Sequence, residues 1–136
     1  MDTFHVTILA ADKRFYEGPC ESLVVPTSDG QSGILAHHKN VIAALTPGTL
    51  QYRVPGRENQ IAAVSRGFIK VEDNTVLILV DTIERPEEID AIRAQREIDE
   101  AQEIMLQKKS IQSYHSAQAR MARAINRLRV KAHQVD

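Results

Sequence analysis

The sequence predicts an α+β fold in which a β domain over residues 1–85 is followed by a helical arm over residues 86–136. Two observations support this prediction. Short apolar runs broken by turn residues fill the first part, whereas the chain after Pro86 has no glycine and no proline. At 136 residues the chain is long enough for one packed core with an appendage. It is short for two ordinary domains of about 100 residues each.

The β domain is predicted from its alternation and its turns. Phe4, Val6 and Ile8 recur at every second position, as in a strand with one buried face. Further strands are predicted at Leu23–Val25, Gln51–Val54, Ile61–Val64, Phe68–Val71 and Val76–Val80. Turn-forming pairs separate the runs at Gly18-Pro19, Asp29-Gly30, Pro47-Gly48, Pro55-Gly56 and Asp73-Asn74. Many short strands at this spacing are typical of an antiparallel sandwich or a barrel.

The arm is rich in residues that favour helices, and we expect its first helix to begin at Pro86, where a missing N–H costs little. The acidic side chains that follow place negative charge at the positive end of the helix dipole. Small or apolar side chains then recur at helical spacing in two segments: Ala94, Ile98, Ala101 and Met105, then Tyr114, Ala117, Met121, Ala124, Leu128 and Val135. Ser110 and Ser113 lie between the segments and are candidate caps. A helical hairpin and one long helix are both compatible with this pattern.

The charges of the arm are divided between its two segments. Glu87–Leu106 has seven acidic and two basic side chains, a net charge of −5, whereas Gln107–Asp136 has seven basic and one acidic, a net charge of +6. Two antiparallel helices would therefore attract each other, while an extended arm would leave the basic helix free to bind an acidic surface. Surface ion pairs are worth only about 0.2–1 kcal/mol each. We interpret the arm as an element with two accessible states.

Several functional classes are excluded. The net charge is −1, and no basic patch with interleaved aromatic residues indicates nucleic-acid binding. No stretch approaches the roughly 20 apolar residues of a membrane span. Cys20 is the single cysteine, so we expect a buried or idle thiol and no structural metal. His37 and His38 are adjacent in a β segment and point to opposite faces, so they make a poor metal site. No nucleophile-and-base or paired-acid motif occurs, so we expect no catalytic activity.

Four segments in order resemble one known family. Gly30–His38, with Leu45–Gly48 after it, resembles the Gly-x-x-Gly-Ile-Leu-x-x-His and Pro-Gly signature of the epsilon subunit of F-type ATP synthases. Ala63–Val71 is similar to its Val-Ser-Gly-Gly-Phe segment. Ile89–Ala94 resembles the Ile/Leu-Asp-x-x-Arg-Ala motif with which some bacterial epsilon subunits bind ATP, and Arg123–Leu128 resembles the family's Arg-Ala-x-x-Arg-Leu repeat.

The resemblance implies a β-sandwich with a two-helix C-terminal arm that acts as a non-catalytic central-stalk subunit. Such a subunit couples proton transport to ATP synthesis and inhibits ATP hydrolysis through its mobile helices. The implied partners are the gamma subunit, the rotor c-ring and the alpha and beta subunits, with no nucleic acid. The implied location is peripheral, at the cytoplasmic face of the bacterial cell membrane, with membrane contact only through the complex.

The resemblance also implies site residues. No cofactor is required, and ATP is a regulatory ligand whose expected contacts are Ile89, Asp90, Arg93, Ala94, Arg123 and Arg127. The expected partner contacts are Gln31 and Ser32 in a loop facing the rotor ring, His38 toward the gamma subunit, and Arg120, Arg123 and Arg127 toward an acidic segment of a beta subunit. On spacing alone, Asp90 and Arg93 are equally compatible with a helix-surface ion pair, and the basic stripe Arg120, Arg123, Arg127 and Lys131 with a solvated face.

The chain departs from the family pattern at three places. Gln31-Ser32 stands where relatives often carry an acidic residue, and Arg66 replaces a glycine. The run Ile98-Asp99-Glu100 lacks a basic residue that well-studied nucleotide-binding relatives carry late in the first helix. The alternative function is an interaction adaptor whose sandwich binds one protein while its helices form a homomeric coiled coil, because the apolar seam would serve either role.

Overall fold

A computed structural model describes residues 2–133. The chain divides into two compact units, Met1–Glu84 and Arg85–Asp136. The strands of the first unit are β1 (Phe4–Ala10), β2 (Lys13–Cys20), β3 (Ser22–Thr27), β4 (Gly30–Leu35), β5 (Val41–Leu45), β6 (Gly48–Arg53), β7 (Gln60–Val64), β8 (Gly67–Glu72), β9 (Thr75–Val80) and β10 (Ile83–Glu84). The helices of the second unit are α1 (Ala91–Gln107) and α2 (Ile111–His133). The predicted fold class, a β-sandwich followed by two helices, is confirmed.

One hydrogen-bonded path joins the strands in the order β10-β7-β6-β3-β5-β8-β9-β1-β2, with β4 also paired to β3. The path changes layer at β3, because Ser22–Val24 pair with β6 whereas Thr27 pairs with Leu45 of β5. The sandwich therefore has one layer of β10, β7, β6, β3 and β4 and another of β5, β8, β9, β1 and β2. The expectation of an antiparallel sandwich holds except at one pair, since β1 and β9 run parallel.

The core lies between these layers. Val6 and Ile8 of β1, Leu23 and Val25 of β3, and Ile69 of β8 belong to one cluster and are at most 1% exposed. The alternation predicted for the first strand is confirmed, because Phe4, the remaining member of that set, is also buried. Removing these side chains from water supplies the main stabilisation of the unit, at about 25 cal/mol for each Å² of apolar surface buried.

Four strands lie outside the predicted set: β2, β4, β5 and β10. The expectation that Gln31 and Ser32 lie in a loop is wrong, because both belong to β4, where they pair with Pro26 and Val25 of β3. β2, β4 and β10 are edge strands with one paired neighbour, and such strands tolerate polar residues, glycine and proline. Their composition therefore lacks the apolar alternation on which the prediction depended.

The predicted turn at Asp73-Asn74 is present. Both residues have left-handed backbone conformations, with φ of 50° and 60°, in the two-residue link between Glu72 and Thr75. This is the geometry that matches the twist of the two strands it joins. The Asn74 side chain also accepts a hydrogen bond from the His37 N–H at 2.6 Å and donates one to the Thr3 carbonyl at 3.1 Å. The turn therefore organises neighbouring segments as well as its own hairpin.

The helical unit is a hairpin, which decides between the two alternatives that the sequence left open. Lys108 ends α1 in a left-handed conformation with φ of 50°, and the Ser110 hydroxyl accepts the Ser113 N–H at 3.0 Å to cap α2. The two helices run antiparallel, since Glu100 near the turn pairs with Arg120 and Glu97 farther away pairs with Arg127. The predicted capping role of Ser110 is confirmed.

The predicted helix start at Pro86 is wrong. Pro86–Glu88 form a short 3-10 turn, Ile89 is extended, and Asp90 is the N-cap of α1. The physical reason is that Ile89 is only 3% exposed, and a side-chain cap is available one residue later. The predicted apolar seam is largely confirmed by the burial of Ala94, Ile98, Ala101, Ala117 and Ala124. Tyr114 is exposed instead, Val130 is buried in addition, and Val135 and Asp136 lie outside the described residues.

Candidate functional site

Asp90 and Arg93 lie in the first turn of α1, but their side chains do not form the ion pair that their spacing allows. The Asp90 carboxylate accepts the Arg93 backbone N–H at 3.0 Å and so satisfies one of the free donors at the start of the helix. The Arg93 guanidinium points along the helix, with its Nε 3.7 Å from Oε1 of Glu97. Asp90 therefore fixes the position of α1, while Arg93 keeps an exposed charge.

Ile89 and Ala94 flank this turn and are buried. Their side chains belong to the interior of the helical unit and are not available to line an open site. Within the Ile89–Ala94 motif, the structure thus separates two packing residues from the charged pair Asp90 and Arg93. The two buried side chains anchor the first turn of α1, and the Arg93 side chain that projects from this turn faces solvent.

A cleft of about 360 Å³ opens beside Arg93. It is lined by Asp90, Ile92, Arg93, Arg96, Glu97, Glu100 and Arg120. Arg93 and Asp90 were predicted as ligand contacts and Arg120 as a partner contact, whereas the other four residues were missed as members of a site. A signal for three of them was present, because positions 96, 97 and 100 follow Arg93 at helical spacings of three, four and seven. In the sequence these three residues contributed only to the net charge of the first segment of the arm.

The cleft combines charges of both signs. Glu97 Oε2 lies 3.6 Å from Nη1 of Arg127, and Glu100 Oε2 lies 3.5 Å from Nη2 of Arg120. The acidic segment and the basic segment of the arm therefore meet across the hairpin, as their opposite net charges predicted. The contacts are longer than the roughly 2.7–2.9 Å of the strongest charge-assisted hydrogen bonds. They are therefore ion pairs rather than short charge-assisted hydrogen bonds.

The predicted basic stripe is divided by the hairpin. Arg120 and Arg127 pair with glutamates of α1, and the Lys131 Nζ donates to the Pro86 carbonyl at 3.2 Å. Arg123 lies between them, is exposed, and has no ion pair within residues 2–133. In this state only Arg123 of the four is open to a partner. The structure therefore places Arg127 within reach of Arg93 through Glu97, but does not add Arg123 to the cleft.

The remaining predicted contacts lie in the sandwich unit. Gln31 is exposed and Ser32 half-buried on β4, and the half-buried His38 follows that strand with its Nδ1 2.7 Å from the Lys39 carbonyl. Their roles toward partners stay predictions. Cys20 is fully buried, and burial raises the pKa of its thiol, which donates to the Ser22 carbonyl at 3.2 Å. A thiol in this environment is a packing group.

Residues 2–133 contain neither a candidate metal site nor a helix that could span a membrane. No group of three histidine, cysteine or acidic side chains there is arranged to hold a metal ion. Neither α1 nor α2, over the described part of the chain, has the length and apolar character of a membrane-crossing helix.

The chain is similar to known proteins along almost its whole length. Residues 3–86 match the β-sandwich domain of the ATP synthase delta/epsilon chain, and residues 87–132 match the long α-helix domain of the same chain. An ATP synthase epsilon chain of Caldanaerobacter subterraneus is 42% identical over 94% of this chain and 93% of the relative. That of Ruminiclostridium cellulolyticum is 37% identical over 94% and 95%, respectively.

Solved structures show the same fold. A chain of the Euglena gracilis mitochondrial ATP synthase matches with a TM-score of 0.82 at 20% identity, over 98% of this chain and 82% of that one. A chain of the Tetrahymena thermophila mitochondrial ATP synthase central stalk and c-ring matches with a TM-score of 0.68 at 17% identity, over 93% and 95%. Together with the bacterial relatives, the two matched domains show that this chain belongs to the ATP synthase delta/epsilon family as a non-catalytic epsilon subunit of the bacterial F type.

Proposed function

We propose that this chain is a central-stalk subunit that couples proton transport to ATP synthesis and restrains ATP hydrolysis through its helical arm. Its partners are the gamma subunit, the c-ring and the alpha and beta subunits, and its place is peripheral, at the cytoplasmic face of the bacterial cell membrane. Family membership supports this assignment, as does the likeness to chains from ATP synthase complexes whose descriptions name a c-ring. Restraint of hydrolysis requires an arm that can change state, and the arm has the features of such an element.

One observation carries the proposal: the helices of the hairpin are held together by weak interactions. The buried side chains of the arm include the alanines Ala94, Ala101, Ala117 and Ala124, with the larger Ile89, Ile98, Asn126 and Val130 beside them. A methyl group allows close approach of the helices but buries little apolar surface, and one buried CH₂ is worth only about 0.8 kcal/mol. The ion pairs across the hairpin are long and partly exposed, so each adds at most about 1 kcal/mol. A partner of modest affinity is enough to open such a hairpin.

Opening the hairpin would release the basic stripe. Arg120, Arg127 and Lys131 are engaged with α1 and the Pro86 carbonyl in the closed state and would join Arg123 on one face of an extended α2. A continuous basic face suits an acidic segment of a beta subunit, where guanidinium groups bind carboxylates in a forked geometry. Closed and extended arms thus compete for the same side chains, and this competition is the basis of the restraint.

ATP is the regulatory ligand that we assign to the closed state. The cleft beside Arg93 has a volume within the roughly 300–1,000 Å³ of small-molecule sites. Arg93, Arg96 and Arg120 line the cleft and supply charged donors for phosphate, and the exposed Ile92 supplies an apolar surface for a base. Arg127 is a further donor, because it pairs with Glu97 at the edge of the cleft. Because both helices contribute, ATP would stabilise the hairpin over the extended arm and act as a ligand that is not hydrolysed.

The restraint is tested with the assembled ATP synthase carrying Arg123→Glu. Among residues 2–133 the Arg123 side chain makes no ion pair in the closed hairpin, so the variant should disturb the dock of the extended arm and leave the closed arm intact. We expect ATP hydrolysis to rise toward the rate of an enzyme whose arm is deleted, with ATP synthesis affected less. Adding Arg127→Glu should increase the effect, since it removes a second group of the stripe.

Arg53→Glu in the sandwich is the matched control, since Arg53 is also exposed and undergoes the same charge reversal. Hydrolysis in that variant should stay at the parental rate. If Arg123→Glu assembles fully and its hydrolysis is unchanged, Arg123 has no docking role. The alternative adaptor function predicts a stable homodimer through the apolar seam, but this seam is already buried between α1 and α2 of one chain.

A further inference from the structure

Glu97 lies between two arginines of the arm, Arg93 and Arg127, which we call the arginine cluster. Its side chain is 29% exposed and uses both carboxylate oxygens, with Oε1 3.7 Å from Nε of Arg93 and Oε2 3.6 Å from Nη1 of Arg127. One contact lies within α1 and the other crosses to α2. A single carboxylate therefore neutralises two guanidinium groups and links the two helices.

An anionic ligand of this cluster must compete with that carboxylate. Arg93 and Arg127 are the two arginines that the Asp-x-x-Arg motif and the second helix would present to phosphate, and Glu97 lies between them. Resting on the proposed ATP site, we propose that Glu97 is an internal competitor that occupies the position of a phosphate in the ligand-free hairpin and so lowers the affinity of the arm for ATP. In this proposal the Glu97 carboxylate leaves both guanidinium groups when a nucleotide binds.

The distances agree with an exchangeable contact. Both N···O distances are about 0.8 Å longer than the roughly 2.8 Å of a strong charge-assisted hydrogen bond. A phosphate carries more charge and more acceptor oxygens than a carboxylate, so it can replace Glu97 on the same two guanidiniums with shorter bonds. The carboxylate remains tethered nearby in every closed hairpin, and its negative charge opposes an incoming phosphate.

Glu97 therefore has opposite effects in the two states of the site. Without ligand, its ion pair with Arg127 helps to hold α1 against α2. With ATP, the same carboxylate is displaced from its partners and lies beside a polyanion. Glu97→Gln should consequently lower the thermal stability of the ligand-free arm slightly and raise the affinity for ATP. A residue that only packs or only binds the nucleotide would not move these two measurements in opposite directions.

The test is isothermal titration calorimetry of the full chain with ATP at one fixed salt concentration. We expect Glu97→Gln to bind ATP roughly three- to tenfold more tightly than the parent chain, the range expected for releasing two partly exposed ion pairs. Glu103→Gln is the matched control: it makes the same charge change on the exposed side of α1, about 9 Å farther along the helix. Its affinity should equal that of the parent.

A second measurement shows whether Glu97 acts through its partners. In an Arg127→Ala background, the gain from Glu97→Gln should shrink, because one of the two guanidiniums that it occupies is absent. Circular dichroism at the helix minimum confirms that each variant retains the arm, and Glu97→Ala serves as a second variant if the glutamine disturbs it. The ligand-free melting temperature of each protein is recorded beside its affinity.

The outcomes separate this inference from the ATP site itself. If the parent and Glu97→Gln bind ATP with equal affinity, Glu97 is not a competitor, but the ATP site stands. Weaker binding by Glu97→Gln leads to the same conclusion. If Glu103→Gln gains as much affinity for ATP as Glu97→Gln, the effect comes from overall charge, and the competitor role of Glu97 is also overturned. If neither the parent nor Glu97→Gln binds ATP at millimolar concentration, the ATP site fails and the competitor fails with it.

Discussion

Gly67 shows how a single residue controls the close approach of two strands. It opens β8 and pairs with Val80 of β9, and a Cβ atom at this position would meet the carbonyl oxygen of Leu79 and lie 2.7 Å from the Cα of Val80. Both obstacles are backbone atoms, so neither can turn aside. The preceding Arg66 is tolerated because its side chain is exposed and pairs with Asp81 at 3.2 Å. The family segment therefore requires glycine at the second of these positions and accepts a charge at the first.

We predict that Gly67→Ala destabilises the sandwich by about 2 kcal/mol or more, because the backbone of β9 must move to admit the methyl group. Thermal unfolding followed by circular dichroism should show a midpoint lower by roughly 8 °C or more. Gly33→Ala in β4 is the control, since no atom lies within 4 Å of the Cβ it would add. Equal melting temperatures for the two variants would show that the β9 backbone can move to admit the methyl group without loss of stability.

At the scale of elements, the arm consists of two helices whose ends are defined by single side chains and whose faces are joined by exchangeable charges. Asp90 caps α1 and Ser110 caps α2, while Glu97 and Glu100 reach across to Arg127 and Arg120. The caps define each helix separately, whereas the ion pairs exist only when the helices lie together. A ligand that contacts both helices therefore binds only the closed state.

We predict that ATP raises the thermal stability of the helical arm in the isolated protein. The gain should be about 2.7 kcal/mol at a hundredfold excess over Kd, following RT ln(1 + [L]/Kd). Arg93→Ala should remove most of this gain because it deletes a charged phosphate donor, whereas Arg14→Ala in the sandwich should not. The measurement is the melting of the helical signal with and without ATP. No shift and no heat of binding at millimolar ATP would leave Asp90 as a helix cap and Arg93 as a surface charge.

At the scale of the whole molecule, the two units differ in what stabilises them. The sandwich has one continuous core, made mainly of valine, leucine, isoleucine and aromatic side chains, to which all ten strands contribute. The arm buries mainly alanine with Ile89, Ile98 and Val130. The first unit therefore buries many more apolar side chains than the second, and we expect the second to be the less stable of the two.

We therefore predict that a chain ending at Arg85 folds and joins the central stalk. Every residue of the sandwich core lies between Phe4 and Ile83, so the deletion removes none of them. The truncated protein should keep its β circular dichroism, melt cooperatively, and co-purify with the gamma subunit. Insolubility or loss of the β signal would place the domain boundary farther along the chain.

Local rules in the sequence determined much of this protein. Alternation identified the buried strands, the Asp73-Asn74 pair identified a hairpin turn, and the opposite charges of the arm segments predicted their attraction. Each depends on residues close together in the chain. The edge strands escaped prediction because each has one paired neighbour and tolerates polar residues and glycine, as in β4, where Gln31 pairs with Pro26 of β3. Edge position frees such strands from the apolar pattern that makes strands recognisable.

The candidate site depended more heavily on tertiary structure. The sequence identified Asp90, Arg93 and Arg127 through their motifs, but the hairpin decided that Asp90 caps a backbone N–H and that Ile89 and Ala94 face the interior. It also placed Glu97 between Arg93 and Arg127. The sequence could not show this arrangement, because the two arginines are 34 positions apart in the chain. Sequence alone determines which charges a helix carries. Only packing, which fixes the register of one helix against another, decides which of those charges meet.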